Sequence, residues 1–394
     1  MKEAFTVGDR LEVAVDTIAF GGMGVARKEG MVIFVPFAAD GDELLVEIVA
    51  VRKRYYLGTI IDVRKPSTER VEPKCSSYYR CGGCQYQHLN YRHQLAIKTG
   101  QVRDSLERIG KISSPPVREI IPSPRAFSYR GKADYHVGQQ GDAPPRIGFM
   151  SVGGDELVDI ERCEIVDESI NEACRSLRAD IESGRRTLSG ERLSVWSGTG
   201  YCTGGRVTRT VKGKLLDVPC EGFFQANLSL VDQLVDAVTA LGDLHETDRV
   251  LDCYCGSGLF SLFMAPKVSR IFGIESESES VRCARDNLHQ YGHSHARFFH
   301  GRVEQIIRRK ITAPKVPVDL LLLDPPRTGC ARTVLEEVAV MKPRRILYIS
   351  CNPATLARDL RFLVESGFSP AVVQPVDMFP QTRHVEVIVK LERA

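Results

Sequence analysis

The feature that most limits the possible folds is a change of pattern after residue 222, where short apolar runs begin to alternate with helical stretches. This order is typical of a doubly wound α/β domain, in which helices cover both faces of a mainly parallel sheet. The last two apolar runs have no helix between them, so we expect them to pair as a hairpin. The predicted strands cover residues 250–252, 270–274, 319–323, 345–350, 371–376 and 385–391, and the predicted helices cover residues 278–291, 332–340 and 355–365.

The amino-terminal part has a different pattern. Between residues 7 and 63, short apolar runs are separated by turn residues, which indicates a small β-barrel of the size that binds oligonucleotides. In it, Arg52-Lys-Arg54 precedes Tyr55-Tyr56, a combination that can hold phosphates and stack bases or can form a charged edge strand. The middle region predicts one helix, residues 91–109, among strand-like and loop-like segments. We therefore expect a β-barrel domain (1–65), a mixed, β-rich central domain (66–220) and the α/β domain (221–394).

Composition and charge exclude several classes of protein. Of 394 residues, 43% are hydrophobic and 26% are charged, as in a globular chain and unlike a disordered or fibrous one. No apolar run approaches the roughly 20 residues that span a bilayer, and the first residues lack a secretion signal, so we expect a cytoplasmic protein that does not insert into membranes. The net charge is only +3, but residues 70–132 hold twelve Lys or Arg against four Asp or Glu. This excess can attract nucleic-acid phosphates or can be a solvated basic face.

Chemically useful residues follow three successive predicted strands. The first ends near Asp252 and continues into Cys255-Gly-Ser-Gly258, whose glycines let the backbone pass close to a ligand. A dinucleotide cradle is disfavoured because position 261 is Ser, where that cradle needs a third glycine. Glu275 ends the next strand and can accept both hydroxyls of a ribose or cap the following helix. Asp324 follows the third strand, in a turn fixed by two prolines. The Asp252 loop and Glu275 together resemble the S-adenosylmethionine site of a class I methyltransferase.

Two residues near the carboxyl end can act in covalent catalysis. Cys351 ends a predicted strand just before a helix, where backbone N–H groups and the helix dipole can stabilise a thiolate, although an isolated cysteine there is more often structural. Glu386 opens the last strand, where a lone carboxylate is more often simply exposed. Methylation of a uracil at C5 would use both groups. A thiolate adds to C6 and makes C5 nucleophilic, and a base then removes the C5 proton so that the thiolate can leave.

Five segments in the carboxyl-terminal half resemble, in order, motifs of the RNA uracil-C5 methyltransferase family. The resemblance implies that Cys351 is the nucleophile and Glu386 the proton-abstracting base. It implies that S-adenosylmethionine is held by Gln225, Tyr254, Gly256, Gly258, Glu275 and Asp324. Leu259 departs from the small or polar residue often found in the family, which puts one cofactor contact in doubt. The segments are Phe223-Phe-Gln225-Ala-Asn227, Asp252-Cys-Tyr-Cys-Gly-Ser-Gly258, Asp324-Pro-Pro-Arg-Thr-Gly329, Ser350-Cys-Asn-Pro353 with Thr355-Leu-Ala-Arg-Asp359, and His384-Val-Glu386. The amino-terminal domain resembles the TRAM RNA-binding barrel, through Gly21-Gly-Met-Gly24 and Val32-Ile-Phe-Val-Pro36.

Four cysteines form a further constellation: Cys75, Cys81 and Cys84 lie close together in the chain, and Cys163 follows well downstream. This spacing fits an iron–sulfur cluster or a zinc site, and Cys81 with Cys84 is a weaker candidate for a redox pair. The spacing is similar to the [4Fe–4S] motif in the family's TRAM-bearing branch, which implies a cluster with a structural and RNA-contacting role. Aromatic and basic residues surround it, namely Tyr78, Tyr79, Arg80 and Tyr86. We expect the remaining cysteines to be packing residues: Cys174, Cys202, Cys220, Cys253, Cys255, Cys283 and Cys330.

The preferred hypothesis is therefore an enzyme that methylates C5 of one uridine in RNA. The combination of TRAM barrel and cluster in the family implies 23S ribosomal RNA as the first choice and transfer RNA as the second. The competing hypothesis is a non-catalytic iron–sulfur RNA-binding protein, which would need neither Cys351 nor Glu386. A radical oxidoreductase is disfavoured because four cysteines leave no open iron position. No protein partner is predicted, and we expect a monomer.

Overall fold

A computed structural model describes residues 5–138, 145–185 and 192–393. The first domain is a closed five-stranded barrel with the strand order β1-β2-β3-β5-β4. Alternate side chains of β4 point inward, and Val46 and Ile48 are fully buried against Ile33 and Val35 in the barrel core. The predicted barrel is confirmed. Its strands are β1 (Arg10–Ile18), β2 (Met23–Lys28), β3 (Met31–Pro36), β4 (Glu43–Arg52) and β5 (Tyr55–Lys65).

The central region begins with the cysteine segment, residues 75–84, and the helix α1 (Tyr91–Arg108). An antiparallel sheet follows, with the strand order β10-β9-β6-β7-β8, and helix α2 packs against it. A separate hairpin, β11–β12, closes the region. The elements are β6 (Lys132–Gly138), β7 (Arg146–Met150), β8 (Leu157–Asp159), α2 (Glu168–Glu182), β9 (Arg192–Trp196), β10 (Gly200–Tyr201), β11 (Arg206–Val211) and β12 (Lys214–Pro219).

The carboxyl-terminal domain is the predicted doubly wound α/β fold. Its sheet has the order β15-β14-β13-β16-β17-β19-β18, in which the first five strands are parallel and β19 is antiparallel to both of its neighbours. The expected terminal hairpin is therefore confirmed. The elements are α3 (Val231–Gly242), β13 (Arg249–Cys253), α4 (Leu259–Met264), β14 (Arg270–Glu275), α5 (Ser278–Gln290), β15 (Ala296–His300), α6 (Val303–Ile307), β16 (Leu320–Leu323), α7 (Arg332–Met341), β17 (Arg345–Ser350), α8 (Pro353–Glu365), β18 (Phe368–Val376) and β19 (Glu386–Arg393).

Two apolar cores cover the two faces of this sheet. Helices α3, α4 and α5 contribute to one core, and α6, α7 and α8 contribute to the other. Parts of the central region belong to these cores as well: Val207 and Val218 of the hairpin β11–β12 join the first, and Val102 and Leu106 of α1 join the second. The domain boundaries at 65 and 220 stay a prediction, but the packing links the central region closely to the α/β domain.

The structure corrects one prediction about the cysteines. Cys202 and Cys220, expected to be packing residues, are joined by a disulfide. The reason lies in the hairpin, because Arg206 at the start of β11 pairs with Pro219 at the end of β12, and this brings the flanking cysteines together. The other five cysteines in that group, Cys174, Cys253, Cys255, Cys283 and Cys330, are unpaired and buried as expected. Within the described residues, every helix is too short or too polar to traverse a bilayer.

Candidate active site

Asp252, Glu275 and Asp324 lie together at the carboxyl end of the parallel sheet, which we call the acidic edge, because they are at or just after the ends of the neighbouring strands β13, β14 and β16. Between them runs the loop after β13, in which Tyr254 (φ 64°) and Gly256 (φ 52°) have left-handed backbones. A Cβ atom built at Gly256 would meet nothing within 4 Å, so this part of the loop borders open space. Leu259 packs into the apolar core and is 8% exposed, which explains why a hydrophobic residue is accepted at the position that departs from the family pattern.

Glu275 connects the loop after β13 with the loop after β14. Its carboxylate accepts hydrogen bonds from the backbone N–H groups of Gly256 (3.1 Å) and Glu277 (2.9 Å). The alternative role as a helix cap belongs instead to Glu277, which accepts from the N–H of Ser280 at the start of α5. Glu275 thus lies beside the glycine loop, and its contact with a ribose stays a prediction.

Asp252 and Asp324 make this edge strongly acidic. Burial, and next the charge of Glu275, raise the pKa of Asp252 to about 7. Burial, and next the charges of Asp252 and Glu275, raise the pKa of Asp324 to about 7. One oxygen of Asp252 accepts from the Ser261 hydroxyl at 2.6 Å, and within the described residues its Oδ1 has no hydrogen-bond partner. A buried, incompletely satisfied acidic edge favours a ligand that carries positive charge and hydrogen-bond donors.

Gln225 lies in the loop between β12 and α3 and is buried. The loop is fastened to the central region, since the backbone of Ala226 accepts from the N–H of Gly131 and the Asn227 amide donates to the Ser123 hydroxyl at 2.8 Å. Phe223, two residues before Gln225, is 72% exposed. Among the six predicted cofactor residues, Tyr254 also lines a cavity of about 520 Å³. Glu304, Arg332 and Arg358 form part of its wall.

Cys351 directly follows β17 and is partly buried. Burial, and next the charge of Glu386, raise the pKa of its thiol to about 11, although the Arg327 guanidinium acts in the opposite direction. The helix start was expected to lower the pKa of this thiol, but the pKa is raised. Burial and the charge of Glu386 outweigh the favourable effect of Arg327. The start of α8 is capped by Asn352, whose side chain accepts from the N–H groups of Ala354 (3.0 Å) and Thr355 (3.4 Å).

Glu386 is the first residue of β19 and is only 5% exposed, so the alternative of an exposed carboxylate is wrong. Because Val387 pairs with Ser350 across β17 and β19, Glu386 and Cys351 lie side by side at the same end of the sheet. Burial, and next the charge of Asp324, raise the pKa of Glu386 well above its usual range, and Arg327 opposes this shift. A raised pKa makes the ionised carboxylate a stronger base, which suits proton abstraction once the group has lost its own proton.

Arg327 is the site residue to which the sequence analysis gave no role. Its guanidinium is 3.1 Å from Nε2 of His384 and lowers the pKa values of both Cys351 and Glu386. Its backbone oxygen accepts from the Asn352 amide and the Thr355 hydroxyl, which locks the turn against the start of α8. One sequence feature could have indicated a role for Arg327, because it is a cation directly after the two prolines that follow Asp324.

The segment that leads into Glu386, residues 377–385, is held by the central region. The backbone oxygen of Gln381 accepts from the N–H groups of Gln85 (3.0 Å) and Tyr86 (2.9 Å). The side chains of Gln94 and Gln381 are 2.9 Å apart, and Lys98 donates to Asp377 at 2.6 Å with both side chains fully buried. No local pattern in the sequence indicates these contacts.

The four cysteines of the predicted cluster come together around one cavity of about 60 Å³. Burial, and next the charge of Cys163, raise the pKa of Cys84, with smaller contributions from Cys81 and Cys75. Cys81 and Cys84 are not bonded to each other. In the described parts of the chain, no three histidine, cysteine or carboxylate side chains form a group tight enough for a single metal ion. A shared cavity lined by four thiols, one of them deeply buried, is compatible with the thiolate ligands of a cluster.

Comparisons with known proteins agree with this arrangement. The family model described as tRNA (uracil-5-)-methyltransferase matches residues 211–394, and the TRAM domain model matches residues 4–61. An uncharacterised RNA methyltransferase of Halalkalibacterium halodurans is 31% identical, with 98% of this chain and 97% of that protein covered. Another, of Thermosynechococcus vestitus, is 33% identical, with 98% of each covered.

A solved structure resembles nearly the whole chain. The tRNA (uracil-54, C5)-methyltransferase of Pyrococcus abyssi, in complex with S-adenosyl-L-homocysteine, superposes with a TM-score of 0.75 at 25% identity. The match covers 97% of this chain and all of that one. The expectations of a class I methyltransferase fold, a TRAM barrel and an enzyme are therefore confirmed, and the non-catalytic alternative is not supported. The chain belongs to the tRNA (uracil-5-)-methyltransferase family of RNA methyltransferases and carries a TRAM domain at its amino-terminal end.

Proposed function

We propose that the protein transfers a methyl group from S-adenosylmethionine to C5 of one uridine in a folded RNA, with Cys351 as nucleophile and Glu386 as base. The observation that carries this proposal is the placement of Cys351 and Glu386 side by side, at the ends of the adjacent strands β17 and β19. A partly buried thiol next to a buried carboxylate, beside the acidic ends of β13, β14 and β16, provides the two groups that C5 methylation of uracil requires.

The chain's residues act in a fixed order. The Cys351 thiolate forms a bond to C6 of the uracil, and the displaced electron pair makes C5 nucleophilic. S-adenosylmethionine, when bound, would supply the methyl group as an electrophilic sulfonium and leave as S-adenosyl-L-homocysteine. Glu386 then takes the proton from C5, and the returning electron pair re-forms the C5–C6 double bond as the Cys351–C6 bond breaks. The target base must leave its stack for Cys351 to reach C6.

The residues proposed to hold S-adenosylmethionine are those at the acidic edge and the glycine loop. The open space at Gly256 and the unpartnered oxygen of Asp252 support a ligand there. The bound S-adenosyl-L-homocysteine in the Pyrococcus abyssi relative supports the same cofactor class. The proposed set is Gln225, Tyr254, Gly256, Gly258, Glu275 and Asp324.

The proposed RNA is 23S ribosomal RNA, on the basis of the TRAM barrel combined with the four-cysteine cavity. Transfer RNA is the second candidate, favoured by the Pyrococcus abyssi relative, which acts on uracil-54 of tRNA. For the cavity itself we propose a [4Fe–4S] cluster held by Cys75, Cys81, Cys84 and Cys163, with a structural role. Iron and sulfide analysis with electronic spectroscopy distinguishes this cluster from a zinc site. A cytoplasmic location and a monomeric state stay predictions.

The first experiment measures methyl transfer from labelled S-adenosylmethionine to ribosomal RNA and transfer RNA that lack the modification. We expect label at C5 of a single uridine in one of these RNAs. Cys351→Ala should abolish the label, whereas Cys283→Ala, a buried cysteine of α5 in the same domain, should keep it. Absence of label in both RNAs, with cofactor bound and the chain folded, would contradict the proposal.

The proposed roles of the two residues are separable. Glu386→Gln should let the Cys351–C6 bond form and the methyl group transfer, but it should block proton removal. A covalent protein–RNA complex should therefore accumulate and survive denaturation. The double variant Cys351→Ala/Glu386→Gln is the control, in which no such complex should form. A complex in the double variant would assign the nucleophile to another residue.

A further inference from the structure

An aromatic group outside the active site lies where the barrel meets the cysteine segment. Phe37 comes from the loop after β3, and Tyr78 and Tyr79 lie between Cys75 and Cys81. The ring of Phe37 is 5.3 Å from that of Tyr78 and 5.1 Å from that of Tyr79, and the two tyrosine rings are 4.6 Å apart. Tyr78 is 4% exposed, but Tyr79 is 52% exposed. One ring of this group, which we call the aromatic junction, therefore faces solvent.

The backbone holds this exposed ring in an uncommon conformation. Tyr79 has φ of 67° and Phe37 has φ of 60°, in the left-handed region that glycine occupies without cost. For a non-glycine residue this costs on the order of 1 kcal/mol or more, so it persists only where surrounding contacts impose it. Here Arg70 donates to the backbone oxygen of Phe37 at 3.0 Å, and the turn around Tyr79 is closed by the N–H of Cys81 bonding to Ser77.

The buried side of the aromatic junction is held in place by hydrogen bonds of His88. The hydroxyl of Tyr78 is 2.7 Å from Nδ1 of His88, and Nε2 of His88 is 3.2 Å from the backbone oxygen of Ala38, next to Phe37. His88 is 1% exposed. The exposed ring is thus fixed before any ligand arrives, which reduces the entropy lost when a flat partner stacks on it.

The surroundings suit a nucleic acid. Arg80, the residue after Tyr79, is exposed, and both lie within the segment of excess positive charge. The same stretch of chain continues through Cys84 to Gln85 and Tyr86, whose N–H groups hold Gln381 in the segment before Glu386. A ligand stacked on Tyr79 is therefore connected to the segment before Glu386 through residues 79–86 and their hydrogen bonds to Gln381.

We propose that Tyr79 is a stacking subsite for an unpaired base of the RNA substrate, distinct from the uridine that is methylated. This inference rests on the proposed RNA substrate and extends it, because it requires a single-stranded nucleotide outside the target position. Stacking on an aromatic ring is tolerant of base identity, and the neighbouring cations offer contacts for the phosphates. The subsite thus recognises an exposed base and strengthens binding without reading sequence.

The experiment uses the full-length protein with its cysteine site loaded and compares three variants. Tyr79→Gly removes the ring and is compatible with the left-handed backbone, so the thermal midpoint should not fall because of backbone strain. We expect the Kd for the unmodified RNA substrate to rise by about 5- to 150-fold, the range reported for loss of one stacked base. Tyr79→Phe should retain wild-type affinity. Val152→Ala, at an exposed apolar residue whose N–H bonds to Arg80, should also retain it.

A second readout makes the result independent of catalysis. A short single-stranded oligoribonucleotide carries the fluorescent base 2-aminopurine. Its fluorescence should be quenched by the wild-type protein and by Tyr79→Phe, but not by Tyr79→Gly. Wild-type affinity and quenching in a folded Tyr79→Gly variant would overturn the stacking subsite, and so would an equal loss in Tyr79→Phe. If methyl transfer fails for every RNA while Tyr79→Gly still loses binding, the proposed reaction is wrong and the subsite stands.

Discussion

The reactivity of Cys351 is set by its neighbours. With a pKa of about 11, the thiol carries its proton at neutral pH in the protein without RNA. At the start of α8, the N–H groups of Ala354 and Thr355 already donate to the side chain of Asn352. Deprotonation therefore depends on the balance between Glu386, which disfavours the thiolate, and Arg327, which favours it.

This balance predicts the pH dependence of alkylation. Because only the thiolate reacts, the rate of Cys351 modification by iodoacetamide should rise about tenfold per pH unit between about pH 7 and pH 9, below the thiol pKa. Glu386→Gln removes the disfavouring charge and should shift the curve to lower pH, whereas Arg327→Met should shift it upward. Mass spectrometry of the Cys351 peptide gives the rate, with the buried Cys255 in the same digest as the control. A pH-independent rate would contradict this assignment.

Much of this site could be predicted from the sequence. Asp252, Glu275 and Asp324 follow buried strands, and parallel strands bring their carboxyl ends to one edge. The burial of Glu386 could not be predicted, because it depends on β19 inserting between β17 and β18 in the reverse direction. The role of Arg327 was missed for a similar reason. Its partner His384 is 57 residues away, and no local pattern connects the two.

At the scale of elements, helix α1 connects the three regions through a buried polar stripe. Gln94 contacts Gln381, Lys98 contacts Asp377, and Gln101 donates to the backbone of Ile18 and Ala19 at the end of β1. These positions recur every three or four residues, so they share one face of the helix. The helix itself was predicted almost to the residue, but a polar stripe is usually assigned to solvent, so its partners were not.

The buried pair on this helix should be important for stability. Lys98→Met leaves Asp377 buried without its cation, and we expect the free energy of unfolding to fall by about 3–5 kcal/mol. Adding Asp377→Asn should recover part of this loss, because no uncompensated charge then remains. Arg108→Met on the same helix removes an exposed pair with Asp104 and should cost less than about 1 kcal/mol. Urea denaturation of the four proteins measures these values, and equal effects of Lys98→Met and Arg108→Met would contradict the role of burial.

At the scale of the whole molecule, the regions are less independent than the sequence suggested. The change of pattern after residue 222 correctly predicted an α/β fold, yet the hairpin β11–β12 and helix α1 pack into its two cores. The basic segment 70–132 is not entirely a surface feature, since its Lys98 is fully buried in an ion pair with Asp377. Such contacts between distant parts of the chain leave no periodic signal, so the sequence could predict the parts but not their connection.

The most consequential connection runs from the cysteine cavity to Glu386, the proposed base. Cys84 directly precedes Gln85 and Tyr86, whose N–H groups hold Gln381 five residues before Glu386. If the four cysteines hold the proposed cluster, its loss should loosen this segment and release its hold on Gln381. The barrel has its own closed hydrogen-bonded sheet, so it should respond much less.

Hydrogen exchange tests this connection without relying on activity. Cys84→Ala should lose bound iron, and the amides of residues 377–385 should exchange faster, while those of β4 and β5 stay protected. Cys174→Ala removes a buried cysteine of the same central region that lies outside the cavity, and should keep both the iron and the protection. Unchanged exchange in residues 377–385 after iron loss would show that the cysteine site and the catalytic segment are independent. Faster exchange confined to that segment would instead show that the bound group helps to hold Glu386 in position.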